Sequence, residues 1–219
     1  MNIKGKIINK TDALANICFE MLQTMYKKDY SEIFSLFYGI HISEIKSTES
    51  DYLSLKPEPF FLLTLSIENT DTLSGAFDVY TQTERLEGEN KIHNESTNKK
   101  EICNRKILFW SLPDVLIITL KRFSNDNRKN NKLIHFPLEN FDLSKYVIGY
   151  DKQSYVYDLY GICNHSGNVE GGHYTAFVKN ANKKWYFFND ARQPSEIQNL
   201  EDLETNMAYC FFYRKKKTN

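Results

Sequence analysis

The chain has 219 residues, with Lys plus Arg and Asp plus Glu at 28 each, so its formal charge is zero. That balance excludes a generic nucleic-acid binder, whose affinity rests on excess basic charge, and 41% hydrophobic with 14% aromatic residues excludes a disordered chain. No run of about 18 apolar residues is present, so no membrane-spanning helix is expected. The opening Met1-Asn2-Ile3-Lys4-Gly5-Lys6 carries no apolar leader. Cys18, Cys103, Cys163 and Cys210 have no paired spacing and read as reduced thiols. The expectation is one intracellular globular domain, in cytoplasm or nucleus.

The first element is a helix. Leu14, Ile17, Cys18, Met21, Leu22 and Met25 recur at helical spacing, with Thr11 or Asp12 as N-cap and Lys27 and Lys28 at the C-terminal end. Cys18 lies on that stripe and reads as a small core hydrophobe. A short apolar patch follows over 30–41, and Phe60–Ile67 reads as a strand. The polar stretch Thr81–Lys100 is either a projecting arm or a poorly ordered loop. The second half is strand-dense: Val115–Leu120, Leu133–Phe136, Tyr155–Cys163, Tyr174–Val178, Trp185–Phe188 and Ala208–Tyr213. A helix first and antiparallel strands afterwards predict an α+β class. Arg214-Lys215-Lys216-Lys217 reads as a solvated basic tail.

The informative segment is Gly171-Gly172-His173-Tyr174 followed by Trp185-Tyr186-Phe187-Phe188-Asn189-Asp190. A hairpin turning about Ala181 sets His173 opposite Asn189 at its open end. A carboxamide facing an imidazole holds it in one tautomer for acid–base work; an ordinary hairpin with a His at its rim is the plainer alternative. The two glycines let the backbone approach something closely, such as a substrate chain.

Leu112-Pro113-Asp114-Val115 through Leu120-Lys121-Arg122-Phe123 resembles the "LPxVLxxxLKRF" segment of ubiquitin-specific proteases. So do His135-Phe136-Pro137-Leu138 with Phe141-Asp142-Leu143, and Tyr157–Leu159 with Asn164-His165-Ser166-Gly167. Gly172-His173-Tyr174, Trp185, Phe188-Asn189-Asp190 and the Ala208–Tyr213 segment resemble that family's histidine box and terminal strand, and residues 11–39 are similar to its helix and the glycine after it. The resemblance implies a papain-like thiol hydrolase cleaving after the C-terminal glycine of ubiquitin, in which a Cys attacks, a His moves the proton and an Asn or Asp orients the His. It assigns the acid–base role to His173, the orienting role to Asn189 and a supporting polar role to Asp190. His165 becomes a structural strand-end histidine. Ser166–Gly172 matches a loop over the ubiquitin tail, and Asp12 falls where the family has an acidic residue for an arginine of that tail; the resemblance thus implies tail contacts for Asp12, Gly171, Gly172 and Tyr174. The implied layout is a single partial domain over 1–219: a helical thumb remnant (1–40), a finger-like region (41–110) and a palm sheet with the histidine box (111–219).

Two family features are missing. No cysteine follows an Asn-Gly-Asn-Thr-like turn, so no nucleophile is assigned; losing one costs a comparable hydrolase about 10⁶ in rate. The chain alone is therefore expected to be inactive, with a separate chain carrying the Cys box as one further partner beside ubiquitin or a ubiquitinated protein. The alternative is a non-catalytic ubiquitin-binding scaffold, a pseudoprotease. The family's paired Cys-x-x-Cys zinc ligands align with Ser47, Ser50, Asn94 and Thr97, which are poor zinc ligands. No metal and no cofactor are expected, and neither nucleic acid nor membrane is a partner. Lys10 and Ala15 stand where the family has Gln and Glu, which should weaken tail recognition by the first helix.

Overall fold

The computed structural model describes residues 5–217, so the Met1–Lys4 stretch read for a leader lies outside the described residues. Its elements in chain order are α1 (Lys10–Lys28), α2 (Glu32–Phe37), β1 (Gly39–Ser47), β2 (Leu53–Phe60), β3 (Leu63–Ser66), α3 (Leu73–Tyr80), β4 (Glu84–Leu86), β5 (Ile92–Asn94), β6 (Lys99–Glu101), β7 (Cys103–Ser111), β8 (Val115–Lys121), β9 (Phe141–Asp142), β10 (Val156–Gly167), β11 (Gly172–Lys179), β12 (Trp185–Phe188), β13 (Ser195–Glu196) and β14 (Ala208–Lys215). The class is α+β with mainly antiparallel sheets, as expected. Among the described residues no helix is long and apolar enough to cross a membrane. Two compact units result among the described residues, one from 5–60, Thr81–Pro113 and Ser144–Gln153, the other from the remaining described segments.

In the first unit α1 lays Leu14 and Cys18 into a core with Ile40 and Ile42, and Ile17, Met21, Leu22, Leu55, Leu108, Trp110 and Ile148 pack around it. The N-cap is Asn9, whose side-chain oxygen accepts from Asp12 N at 2.9 Å. This corrects the expected cap at Thr11 or Asp12. Asp12 sits instead in the first turn and reaches back to accept from Ile8 N at 3.1 Å; the helix starts at Lys10, four residues before Leu14 opens its apolar stripe. The sheet order is β2-β1-β7-β4. Pro57 and Pro59 fall on the edge strand β2, where a missing N–H costs no ladder bond.

The expected arm or loop over Thr81–Lys100 is ordered into β4, the β5–β6 hairpin and a 3₁₀ turn at Gly88–Asn90. Little apolar burial supports it, since Leu86 is its one buried hydrophobic residue among those described. Its order comes from a polar cluster, which periodicity does not register.

The second unit is an eight-stranded sheet in the order β13-β12-β11-β10-β14-β8-β3, with β9 added beside β10; β3 runs parallel to β8. One face buries Leu116, Ile118, Tyr157, Leu159, Phe211 and Tyr213. Helix α3 buries Leu73, Ala76 and Phe77, a helical triplet hidden in the sequence by its turn-like surroundings. Leu133–Phe136 is not a strand. Only His135 bridges Thr72, and the alternating Ile134 and Phe136 serve packing alone.

Candidate active site

β11 and β12 form a hairpin closed by Asn180 N donating to Lys184 O and Lys183 N donating to Asn180 O. Lys183 takes φ +65°, so the turn centres on Asn182, one residue past the expected Ala181. The register is shifted by two: Ala176 pairs with Phe188 and Lys179 with Trp185. His173 is therefore diagonal to Asn189 and lies past the end of the ladder. A slip of two residues keeps every side chain on its original face, whereas a slip of one would not. The contact survives, with His173 Nε2 2.7 Å from Asn189 Oδ1.

An amide oxygen only accepts, so Nε2 carries the proton and Nδ1 is left with its lone pair. Asp190 Oδ2 lies 3.9 Å from the same Nε2, on a side chain 76% exposed. Asp190 is held at φ +48° as the chain turns and Arg192 N donates to Asn189 O. The histidine ring is half exposed, with one nitrogen anchored and the other available.

Across the sheet Ser166 is the partner of His173, and His165 of Tyr174. Between these strands Gly167 sits at φ +120°, while Asn168 Oδ1 accepts from Glu170 N and Gly171 N. From sequence alone, Gly171 and Gly172 alike are expected to allow close approach of a substrate chain. The structure separates them: a Cβ on Gly172 would lie 2.3 Å from His165 Nε2 and Ser166 O, so this close approach is internal, whereas Gly171 has open space. His165 is 3% exposed and packs against Phe123, Tyr174 and Tyr209 with ring centroids 4.7–5.9 Å away. Burial first, then the charge of Lys129, lowers its pKa, so it stays a neutral packing group. Tyr174 presents an exposed ring beside it.

Asp12 belongs to the first unit. Its carboxylate accepts from Tyr150 OH at 2.6 Å as well as from Ile8 N, and the Tyr150 bond leads in lowering its pKa. Burial pushes the thiols of Cys18 and Cys210 up to about 12 and raises those of Cys103 and Cys163. All four cysteines are free, and none has the depressed pKa of a nucleophile.

Ser50, Asn94 and Thr97, which by resemblance stand at zinc-ligand positions, converge on a buried carboxylate that their spacing does not reveal. Glu101, 4% exposed, accepts from Ser50 Oγ at 2.6 Å, Asn94 Nδ2 at 2.8 Å and Thr97 Oγ1 at 2.7 Å. Ser47 Oγ caps the same turn, accepting from Glu49 N and Ser50 N. Hydrogen bonds, with Ser47 and Ser50 foremost, hold the carboxyl down at about 2. Glu101 lies seven residues beyond Asn94 in a lysine-rich run, and only its burial sets it apart. Among the described residues no cluster of three or more His, Cys, Asp or Glu could hold a metal ion.

Comparison with known proteins bears on this arrangement. The family model described as ubiquitin carboxyl-terminal hydrolase matches residues 8–213. Ubiquitin carboxyl-terminal hydrolase 10 of Arabidopsis thaliana is 34% identical over 177 residues, 78% of this chain and 19% of that protein. Ubiquitin carboxyl-terminal hydrolase 31 of Homo sapiens is 35% identical over 175 residues, 67% of this chain and 13% of that protein. Among solved structures, the SAGA Ubp8/Sgf11/Sus1/Sgf73 DUB module bound to ubiquitin aldehyde superposes with a TM-score of 0.73 at 26% identity, covering 92% of this chain and 48% of that one. A yeast SAGA DUBm with an Sgf73 mutant gives 0.77 at 26% identity, covering 95% and 48%. The chain thus spans under a fifth of those two relatives and about half of the solved chains. With the family model matched almost from end to end, and with its sheet shared with those solved domains, this chain belongs to the ubiquitin carboxyl-terminal hydrolase family.

Proposed function

We propose that this chain carries the acid–base half of a deubiquitinating thiol hydrolase, with His173 as the proton carrier and Asn189 as its orienting residue. The observation that carries this is the 2.7 Å contact from His173 Nε2 to Asn189 Oδ1, which leaves Nδ1 free to accept a proton. In this reading Nδ1 takes the proton of a cysteine thiol, and the thiolate attacks the carbonyl of the ubiquitin C-terminal glycine. The imidazolium then protonates the departing lysine amine. In the second half Nδ1 takes a proton from water as the hydroxide attacks the thioester, and returns it to the leaving thiolate.

The thiol is assigned to a segment or chain outside these 219 residues, because the four cysteines present are raised and Ser166, not a cysteine, faces His173. Asp190 is a polar neighbour of the imidazole, while Asp12, Gly171 and Tyr174 are candidate contacts for the ubiquitin tail, with Gly172 shaping the strand beneath. The first unit is read as thumb remnant with fingers and the second as palm. Free cysteines fit an intracellular compartment. Ubiquitin as partner is supported by the family and by the solved neighbour, which is described as bound to ubiquitin aldehyde.

A ubiquitin probe with a C-terminal electrophile tests the assignment. The chain by itself should bind the probe without forming a covalent adduct. An adduct lost on replacing any one of Cys18, Cys103, Cys163 or Cys210 would overturn the external thiol. The raised thiols also favour a second reading, a non-catalytic ubiquitin-binding scaffold. Absence of saturable monoubiquitin binding would remove it.

A further inference from the structure

Arg122, the residue directly after β8, is a buried guanidinium, 1% exposed. Its Nε donates to Ala208 O, and its Nη1 to Asn130 O and Lys132 O, each at 2.8 Å. All three acceptors are neutral, and Nη2 is buried with no partner among the described residues. Beside it Lys129 Nζ donates to another neutral carbonyl, that of His165, at 2.6 Å. Burial and the charge of Arg122 both push the Lys129 pKa down, so two cations crowd together without a counter-charge. An uncompensated buried charge costs several kcal/mol in general, and folded chains seldom leave one without a neutralising partner.

A cavity of about 500 Å³ opens on these groups, lined by Arg122 and Lys129 with Lys121, Arg128, Asp126 and Glu68 among others. Its acidic side is weak. Asp126 is already engaged by Arg128 Nε at 2.8 Å and by the Ser124 hydroxyl. Glu68 makes no ion pair among the described residues and is the sole remaining carboxylate in that lining. Lys121, Arg122 and Lys129 therefore face one opposing charge, leaving an excess of two.

We infer that this cavity is a binding site for a phosphate group, with the Lys129 and Lys121 ammonium groups as its reachable donors and Arg122 as the fixed charge behind them. A phosphate monoester, with a charge of about −1.5 to −2, matches that excess where a single carboxylate would not. Occupancy couples two parts of the second unit. Arg122 holds the 124–132 turn through Asn130 and Lys132, and Lys129 holds the His165 end of β10, whose next residue, Ser166, pairs with His173. The ligand is either free phosphate or a phosphorylated side chain.

Calorimetric titration of the full chain with sodium phosphate, against sodium chloride at matched ionic strength, tests this. One saturable phosphate event and a raised Tm are expected, with no such event in chloride. A phosphoserine peptide that competes marks a site open to modified side chains; failure to compete marks one restricted to the free ion. Lys129→Met should weaken phosphate binding by about tenfold, and Glu68→Gln should tighten it by about threefold, with unchanged circular dichroism for both. Phosphate acting no differently from chloride, or folded Lys129→Met binding phosphate as the parent chain does, would overturn the site.

Discussion

A carboxamide oxygen has no proton to give, and that single fact sets the chemistry of the rim. Asn189 Oδ1 takes the Nε2 proton of His173 and thereby selects the nitrogen that stays basic. Replacing Asn189 by Ala should let the tautomers equilibrate. With a hydrogen bond worth about 1 kcal/mol, the Nε2–H preference should fall roughly fivefold, which imidazole nitrogen shifts in NMR can read. Gly172 offers a second prediction at this scale. Gly172→Ala drives a methyl group against His165 Nε2 and the Ser166 carbonyl, and should cost about 1–3 kcal/mol in denaturant unfolding. Backbone atoms cannot yield as a flexible side chain would. The Gly172 approach could not be read from neighbouring letters, because it forms between strands.

At the scale of the element, the β11–β12 hairpin shows how an inexact expectation still brings the right groups together. The motif spacing foretold a hairpin and the two facing residues, but not the left-handed Lys183 that moves its centre. Lys183→Gly should relieve that conformation and stabilise the domain by about 0.5 kcal/mol, seen as a small rise in Tm with the His173–Asn189 contact retained. The β5–β6 region is the opposite case. Its letters look unstructured because polar residues, not apolar ones, meet across strands at Glu101.

Glu101 also carries a pH prediction. Its carboxyl lies below its ordinary value, at about 2, because its hydrogen bonds favour the anion. A depressed carboxyl contributes stability fully above its unfolded pKa, and that contribution is lost as pH falls toward 2. Thermal unfolding from neutral to acid pH should show that limb, and Glu101→Gln should remove it while lowering stability at neutral pH. A Gln variant with the parent's acid limb would refute the assignment.

For the whole molecule, hydrogen bonding to the Glu101 carboxylate stands where the sequence resemblance implied a metal ion, so chelator treatment should leave the unfolding midpoint within about 1 °C of the untreated value. A larger drop would reveal a bound ion. What the sequence by itself determined was the α+β class, the family and the identity of the rim pair. Helical periodicity, strand composition and motif order are local properties that survive without coordinates. Only the tertiary structure decided the hairpin register, the convergence on Glu101, the internal purpose of Gly172 and the missing counter-charge at Arg122. Those depend on which groups lose water together, and the chain brings such groups from 7 to 86 residues apart.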